Sequence, residues 1–139
     1  LASGRISFQN GRIGINGSVL FAINSDRLQS DGEALLQSLV APLKQYLSEH
    51  DELLMVSGFT DDLAIQKGNL RYSDNWGLSA QRALTVTRTL IDQGLPEERL
   101  FAAAFGDNQP VTPNTDDDAR ARNRRVEITT VPRQDHGDE

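Results

Sequence analysis

Two stretches of helical periodicity limit the folds open to this chain more than any other feature. Apolar residues recur every three or four positions over Leu35–Leu47, which predicts a helix with one buried face. Ser30 and Glu33 have the spacing of a capping box at its start. Pro42 interrupts the pattern without ending it, so we predict a kinked but continuous helix. A second helix is predicted over Asn75–Gln93.

Four short apolar runs surround these helices and are predicted to be strands: Ser18–Ile23, Leu53–Phe59, Leu100–Gly106 and Arg125–Val131. The resulting order is β-α-β-α-β-β. Strands separated by helices need crossover connections, which keep the helices on the faces of the sheet. We therefore predict an α+β sandwich in which two main helices pack on one face of a small mixed sheet.

The 139 residues are enough for one domain with a substantial core. We assign residues 1–17 to an N-terminal arm or linker, with a short hairpin as one possible form. Residues 18–131 form the domain, and residues 132–139 form a polar tail. Because the chain begins with Leu1 rather than methionine, we expect it to be a piece of a longer parent protein.

Composition excludes several functions. The net charge of -6 opposes general nucleic-acid binding, which needs a basic surface. The chain has no cysteine, and His50 and His136 stand in no metal-ligand spacing, so we predict neither a metal nor a cofactor. Motifs for a nucleophile elbow or a phosphate-binding loop are absent from the sequence. We predict that the protein is not an enzyme.

Polar residues cluster where the second predicted strand ends and the second helix begins. Asp61 lies two residues beyond the strand, where ligand-contacting groups are common. Asn75, Ser79 and Arg82 share one side of the helix at spacing i, i+4, i+7. One interpretation of Asp61 and Arg82 is a structural salt bridge. The other is a clamp for a zwitterion, in which the carboxylate binds an ammonium and the guanidinium binds a carboxylate.

A second polar cluster spans Asp116–Ile128 and contains four arginines around Asn123. The neighbouring aspartates make a solvated charged turn one interpretation of this segment. They also argue against a nucleic-acid patch. The arginines are Arg120, Arg122, Arg124 and Arg125.

Four blocks of this sequence resemble the signature of the OmpA-like domain: GFTDD at Gly58–Asp62, NWGLSAQRA at Asn75–Ala83, FAAAFGDNQPVTPN at Phe101–Asn114 and RARNRRVEI at Arg120–Ile128. They occur in the family's order. The resemblance implies the fold predicted above and a periplasmic location. It also implies non-covalent binding of peptidoglycan through the diaminopimelate of its stem peptide.

The resemblance also assigns roles to individual residues. Asp61 matches the family aspartate that receives the ammonium of diaminopimelate, and Arg82 matches the arginine that binds its carboxylate. The other matched positions in or near the pocket are Thr60, Asn75, Leu78, Arg120 and Arg124. Which of the four clustered arginines contacts the ligand stays open.

The segment Asp62–Asp74 is longer than in typical outer-membrane members and is similar to that of the MotB-like branch. Members of this branch are stator subunits of ion-driven motors. This resemblance implies a homodimer and an N-terminal transmembrane helix, missing here, that meets a membrane partner subunit in the inner membrane. The extra loop residues are expected to shape a pocket wall or face that partner.

Two other functions fit the same sequence. The parent protein could be an outer-membrane or lipoprotein-type envelope tether of the same family. Alternatively, Tyr72, Trp76 and the N-terminal arm could form a dimerisation surface in a scaffold without wall binding.

Overall fold

Five strands form one mixed sheet in the computed structural model, which describes residues 6–9, 11–22, 25–63 and 74–133. The strands are β1 (Ile6–Gln9), β2 (Arg12–Asn16), β3 (Glu52–Phe59), β4 (Leu100–Gly106) and β5 (Arg125–Pro132). Their spatial order is β1-β2-β5-β3-β4. β3 and β4 pair in parallel, and all other neighbours pair antiparallel. The predicted mixed sheet is thus confirmed.

The described helices are α1 (Gly17–Leu20), α2 (Ser30–Glu49), α3 (Asn75–Asp92) and α4 (Asp117–Asn123), with a 3-10 turn at Glu97–Arg99. The two long helices, α2 and α3, contribute to the same buried apolar cluster as the sheet, which confirms the predicted α+β architecture. Members of this cluster from the helices and the central strands include Leu36, Val40, Val86, Leu90, Leu54, Val56 and Ile128.

Helix α2 continues through Pro42 without a break, as its apolar period predicts. The predicted capping box is wrong. Ser30 is the first helical residue, and the N-cap is Gln29, whose side chain makes no capping hydrogen bond. Helix α3 begins and ends where the sequence predicts, and Asp74 caps it by accepting a hydrogen bond from the Gly77 N–H at 2.9 Å.

The predicted strand at Ser18–Ile23 is also wrong. Residues Ser18–Leu20 belong to helix α1 instead. The strand that pairs with β5 is β2, which comes earlier in the chain. Asn16 explains the change, because its side chain accepts hydrogen bonds from the Ser18 N–H at 2.9 Å and the Ser18 hydroxyl at 2.8 Å. A short apolar run cannot by itself distinguish a strand from a buried helical turn. The N-cap side chain favours the helix.

Gly58 lets α3 approach β3 closely. A Cβ atom on Gly58 would lie 2.2 Å from the carbonyl oxygen of Ser79, so only glycine fits there. The Ser79 hydroxyl then accepts a hydrogen bond from the Gly106 N–H at 3.1 Å, and the Gly106 oxygen accepts one from the Thr60 N–H at 2.8 Å. These contacts fix the ends of β3 and β4 against the first turns of α3.

Helix α4 occupies the segment that the sequence suggested could be a charged turn. Asp116 caps it by accepting a hydrogen bond from the Ala119 N–H at 2.8 Å. Acidic residues fill its first turn and arginines its last, which matches the polarity of the helix dipole. The helix carries Arg120 and Arg124 towards the carboxyl end of β3.

Candidate functional site

Asp61 lies two residues beyond the carboxyl end of β3 and is buried, with 7% of its surface exposed. One carboxylate oxygen, Oδ1, accepts a hydrogen bond from the Leu63 N–H at 3.0 Å. The other, Oδ2, lies 2.5 Å from Nη1 of Arg124. The Arg124 side chain is still 36% exposed, so solvent reaches the cation of this ion pair more easily than the anion.

Thr60 and Asn75 contact the backbone of Asp61. The Thr60 hydroxyl donates to the Asp61 carbonyl oxygen at 2.9 Å. The Asn75 amide nitrogen donates to the carbonyl oxygens of Leu63 at 3.0 Å and Asp61 at 3.4 Å, so the first turn of α3 holds the start of the loop. Leu78 is buried one turn further along the helix. The structure therefore brings Thr60 and Asn75 together with Asp61, and Leu78 lies on the same helix as Asn75.

Arg82 is buried and lies against the segment that joins α1 to α2. Its Nε donates to the Ser25 carbonyl oxygen at 2.9 Å, and its Nη2 donates to that of Ala22 at 3.2 Å. The guanidinium carbon lies 5.0 Å from the centre of the Phe21 ring, within range of a cation–π contact. The ion-pair partner of Asp61 is thus Arg124, whereas Arg82 fixes a neighbouring loop.

The other clustered arginines lie in different surroundings. Arg120 donates from Nε to Asp62 at 3.0 Å and lies 3.5 Å from Asp117. The hydrogen bond to Asp62 raises the pKa of the Arg120 guanidinium above its ordinary value. Arg125 pairs with Glu127 at 2.6 Å within β5. Arg120 and Arg124 therefore lie beside the paired aspartates, as the resemblance implies.

Asn123 is a structural residue of the site region that the sequence analysis did not identify. It is fully buried, and its Oδ1 accepts from the backbone N–H of Val111 at 2.8 Å and of Thr112 at 3.3 Å. Its Nδ2 donates to the Thr112 oxygen at 2.9 Å and to Asn114 at 2.7 Å. One side chain thus fixes the loop after β4 to the end of α4. Sequence patterns do not reveal this role, because the hydrogen-bond partners of Asn123 lie about ten residues earlier in the chain. The sequence marks Asn123 only as a residue between arginines.

Backbone contacts connect α1 to the same region. The Gly17 N–H donates to the Arg124 oxygen at 2.8 Å, and a Cβ atom on Gly17 would lie 2.9 Å from that oxygen. Segments 17–22, 60–63, 74–82 and 120–124, together with Ser25, therefore meet at one edge of the molecule. Buried charges of both signs at one edge suit the recognition of a ligand that itself carries both signs.

Some predictions reach beyond the described residues. Most of the long loop, residues 64–73 with Tyr72 among them, lies outside the described ranges, as do Ile23 and His136. Within the described ranges no group of three or more His, Cys, Asp or Glu residues could hold a metal ion. None of the helices described is long and apolar enough to cross a bilayer.

The OmpA family matches residues 20–124, and the chain therefore belongs to the OmpA family. This confirms the resemblance inferred from the four sequence blocks. Outer membrane protein A of Citrobacter freundii is 35% identical over 123 residues, which cover 82% of this chain and 49% of that protein. The same protein of Escherichia coli O157:H7 is also 35% identical, and 34% of its length is covered. The chain thus spans between a third and a half of these curated relatives.

Solved structures share the whole fold. The periplasmic domain of MotB (residues 64-256 of that protein) superposes with a TM-score of 0.79 at 25% identity, covering 94% of this chain and 69% of that one. A putative MotB-like protein from Desulfovibrio vulgaris gives 0.77 at 33% identity, with coverage of 96% and 81%. The cell wall anchor of the T6SS from Pseudomonas aeruginosa gives 0.75 at 30% identity, with coverage of 94% and 89%. These neighbours confirm the predicted resemblance to the MotB-like branch.

Proposed function

We propose that this chain is a non-catalytic domain that binds peptidoglycan through the diaminopimelate of its stem peptide. In this way it anchors a protein complex of the cell envelope to the wall. Similarity to a cell wall anchor and to MotB periplasmic domains supports the anchoring role. The observation that carries the proposal is the buried Asp61 carboxylate, which is paired with the partly exposed Arg124 at the edge where four segments meet.

The proposed mechanism begins with an exchange of cations. In the unliganded protein the guanidinium of Arg124 neutralises Asp61. The ammonium of diaminopimelate would take its place, because an unpaired buried carboxylate is unfavourable and a new cation restores the pairing. The displaced Arg124, with its side chain already 36% exposed, can turn towards the ligand without leaving a buried charge behind.

The carboxylate of the same ligand residue would bind to arginine. We assign this role to Arg82, which matches the family arginine in the sequence pattern, with Arg124 as a second donor after the exchange. Two parallel N–H bonds from a guanidinium match the geometry of a carboxylate. The contacts of Arg82 with the carbonyl oxygens of Ala22 and Ser25 would then connect ligand binding to the positions of these two residues.

The remaining site residues would complete the pocket. Asn75 and Thr60 hold the Asp61–Leu63 backbone in place, and Leu78 supplies an apolar wall. Arg120 stays paired with Asp62 and would supply positive charge near the ligand carboxylate. Each charge-assisted hydrogen bond contributes roughly 1.5–3 kcal/mol, so one site should bind modestly. Firm attachment would come from many sites on one polymer.

For the parent protein we propose a periplasmic location for this domain and an inner-membrane anchor, as in an ion-driven motor stator. Dimerisation and contact with a membrane subunit belong to this proposal. Similarity to MotB domains over more than nine-tenths of the chain supports it. A simple outer-membrane tether is the second candidate, supported by the similarity to outer membrane protein A.

Sedimentation with purified sacculi tests both the binding and the lack of catalysis. We expect the protein to sediment with diaminopimelate-containing sacculi, because the polymer offers many copies of the ligand. After prolonged incubation the supernatant should contain no soluble muropeptides. Protein that stays in the supernatant would contradict wall binding, and released muropeptides would contradict the absence of catalysis.

A further inference from the structure

The second face of the sheet, opposite α2 and α3, carries a cavity of about 410 Å³. Side chains alternate along β3, so Leu54 and Val56 enter the core while Met55, Ser57 and Phe59 line this cavity. The small Ser57 lies between two large neighbours, which leaves a hollow over the middle of the strand. A volume of this size falls within the range of small-molecule sites.

The lining of the cavity is mixed, and one part of its wall is apolar. The rings of Phe59 and Phe105 stack in parallel with centroids 4.9 Å apart. Pro110 and Val111, from the loop that Asn123 fixes, close one side. Val111 is 53% exposed, so apolar surface is available at the rim. These walls favour a ligand with an apolar body.

The floor of the cavity holds an unsatisfied polar atom. Ser57 is only 1% exposed, and its hydroxyl has no hydrogen-bond partner in the part of the chain that the structure describes. A buried hydroxyl without a partner is unfavourable by about 1–3 kcal/mol, so native proteins rarely retain one without a reason. A ligand oxygen in the cavity would accept this hydrogen bond.

Two arginines and one glutamate set the charge of the cavity. Arg125 is held by Glu127 at 2.6 Å and by the carbonyl oxygens of Asn123 at 3.1 Å and Gln109 at 2.9 Å, and it lies 3.8 Å above the Phe59 ring. Arg12 is held loosely, since its side chain is 47% exposed and its contact with Glu127 is 3.5 Å long. Together these two arginines and the glutamate carry a net charge of +1, which favours an anionic ligand.

We propose that this cavity binds a small organic carboxylate with an apolar body. Arg12 would receive the carboxylate, because it can leave Glu127 while Arg125 keeps that glutamate neutralised. Ser57 stands opposite Glu127 in the β3–β5 register, so its hydroxyl lies next to the place where the carboxylate would bind. The apolar body would rest on Met55, Phe105 and Val111.

A carboxylate with an apolar body could belong to a free acid or to the C-terminus of a peptide. The probes are therefore 4-phenylbutyrate, its neutral amide, and a tetrapeptide ending in phenylalanine with either a free or an amidated C-terminus. Each is titrated into the ¹⁵N-labelled chain. We expect amide shifts near Ser57 and Val111 with a Kd of about 1–10 mM for the free acid. Binding of the neutral amide should be at least about tenfold weaker.

Arg12→Gln should weaken binding of the acid about tenfold, whereas Arg88→Gln, on the exposed side of α3, should leave it unchanged. A free-carboxyl peptide that binds about tenfold more tightly than phenylbutyrate would identify a peptide C-terminus as the ligand. The reverse order would identify a free acid. Absence of cavity shifts with all probes, or equal binding by the acid and its amide, would overturn the proposal. Equal affinity of the Arg12→Gln and Arg88→Gln variants for the acid would also overturn the proposal.

Discussion

Asp61→Asn is expected to weaken binding of a diaminopimelate-containing tripeptide about 10- to 150-fold, because the variant loses one charge-assisted hydrogen bond to the ligand. The amide keeps an oxygen that can accept from the Leu63 N–H, so the loop should keep its shape. It removes the negative charge that would hold the ligand ammonium. Calorimetric titration measures the affinity, and circular dichroism checks the fold.

Asp62→Asn is the matched control. Asp62 is the next residue, but its carboxylate is 44% exposed and pairs with Arg120. We expect its substitution to change the affinity less than about threefold, as for an exposed ion pair. Equal losses of affinity in Asp61→Asn and Asp62→Asn would show that the overall negative charge of the loop, not the Asp61 site, governs binding. Arg82→Ala is a poorer test because it also removes the hydrogen bonds to the carbonyl oxygens of Ala22 and Ser25.

Gly58→Ala should have the largest effect on stability. The new methyl group would lie 2.2 Å from the oxygen and 3.0 Å from the carbon of the Ser79 carbonyl, both backbone atoms. Helix α3 would have to move away from β3, so we expect a loss of about 3 kcal/mol or more in the free energy of unfolding. Urea unfolding at an unchanged m-value measures this loss. Peptide binding should fall as well, because α3 carries Asn75 to the site.

Gly94→Ala separates backbone strain from steric conflict. Gly94 has φ of 124°, which an alanine adopts only with strain, but a Cβ there meets nothing closer than Val40 at 3.8 Å. A loss of about 1–2 kcal/mol is expected, with peptide affinity retained. If Gly58→Ala were no more harmful than Gly94→Ala, the close approach of α3 to β3 would not be a constraint on the fold.

The two long helices and the strands β3, β4 and β5 were predictable from sequence, whereas the short helices α1 and α4 were not. Apolar spacing located α2 and α3 because their buried faces repeat over several turns. The stretch from Gly17 to Ile23 offered only a short apolar run. There the Asn16 cap, a single side-chain contact, decided between helix and strand. Similarly, α4 depends on Asp116 as its cap.

Part of the site was also predictable. Position after a strand and spacing along a helix identified Asp61 and Asn75, which the structure brings together. The partner of Asp61 could not be read from sequence, because Arg124 approaches it from a helix 63 positions away in the chain. Arg82 has the helical spacing that a clamp requires, but its bonds to Ala22 and Ser25 join residues about 60 positions apart, which sequence patterns do not specify.

The central claim is that one site binds both charges of a single diaminopimelate residue. The most direct measurement follows the fluorescence of Trp76, the one tryptophan in the chain, which is 53% exposed and lies near Gly106 beside the site. Three tripeptides would differ only in the third residue: diaminopimelate, lysine without the carboxylate, or 2-aminopimelate without the ammonium. We predict that each single-charge peptide binds at least about tenfold more weakly than the first. Equal affinity for all three would contradict the claim.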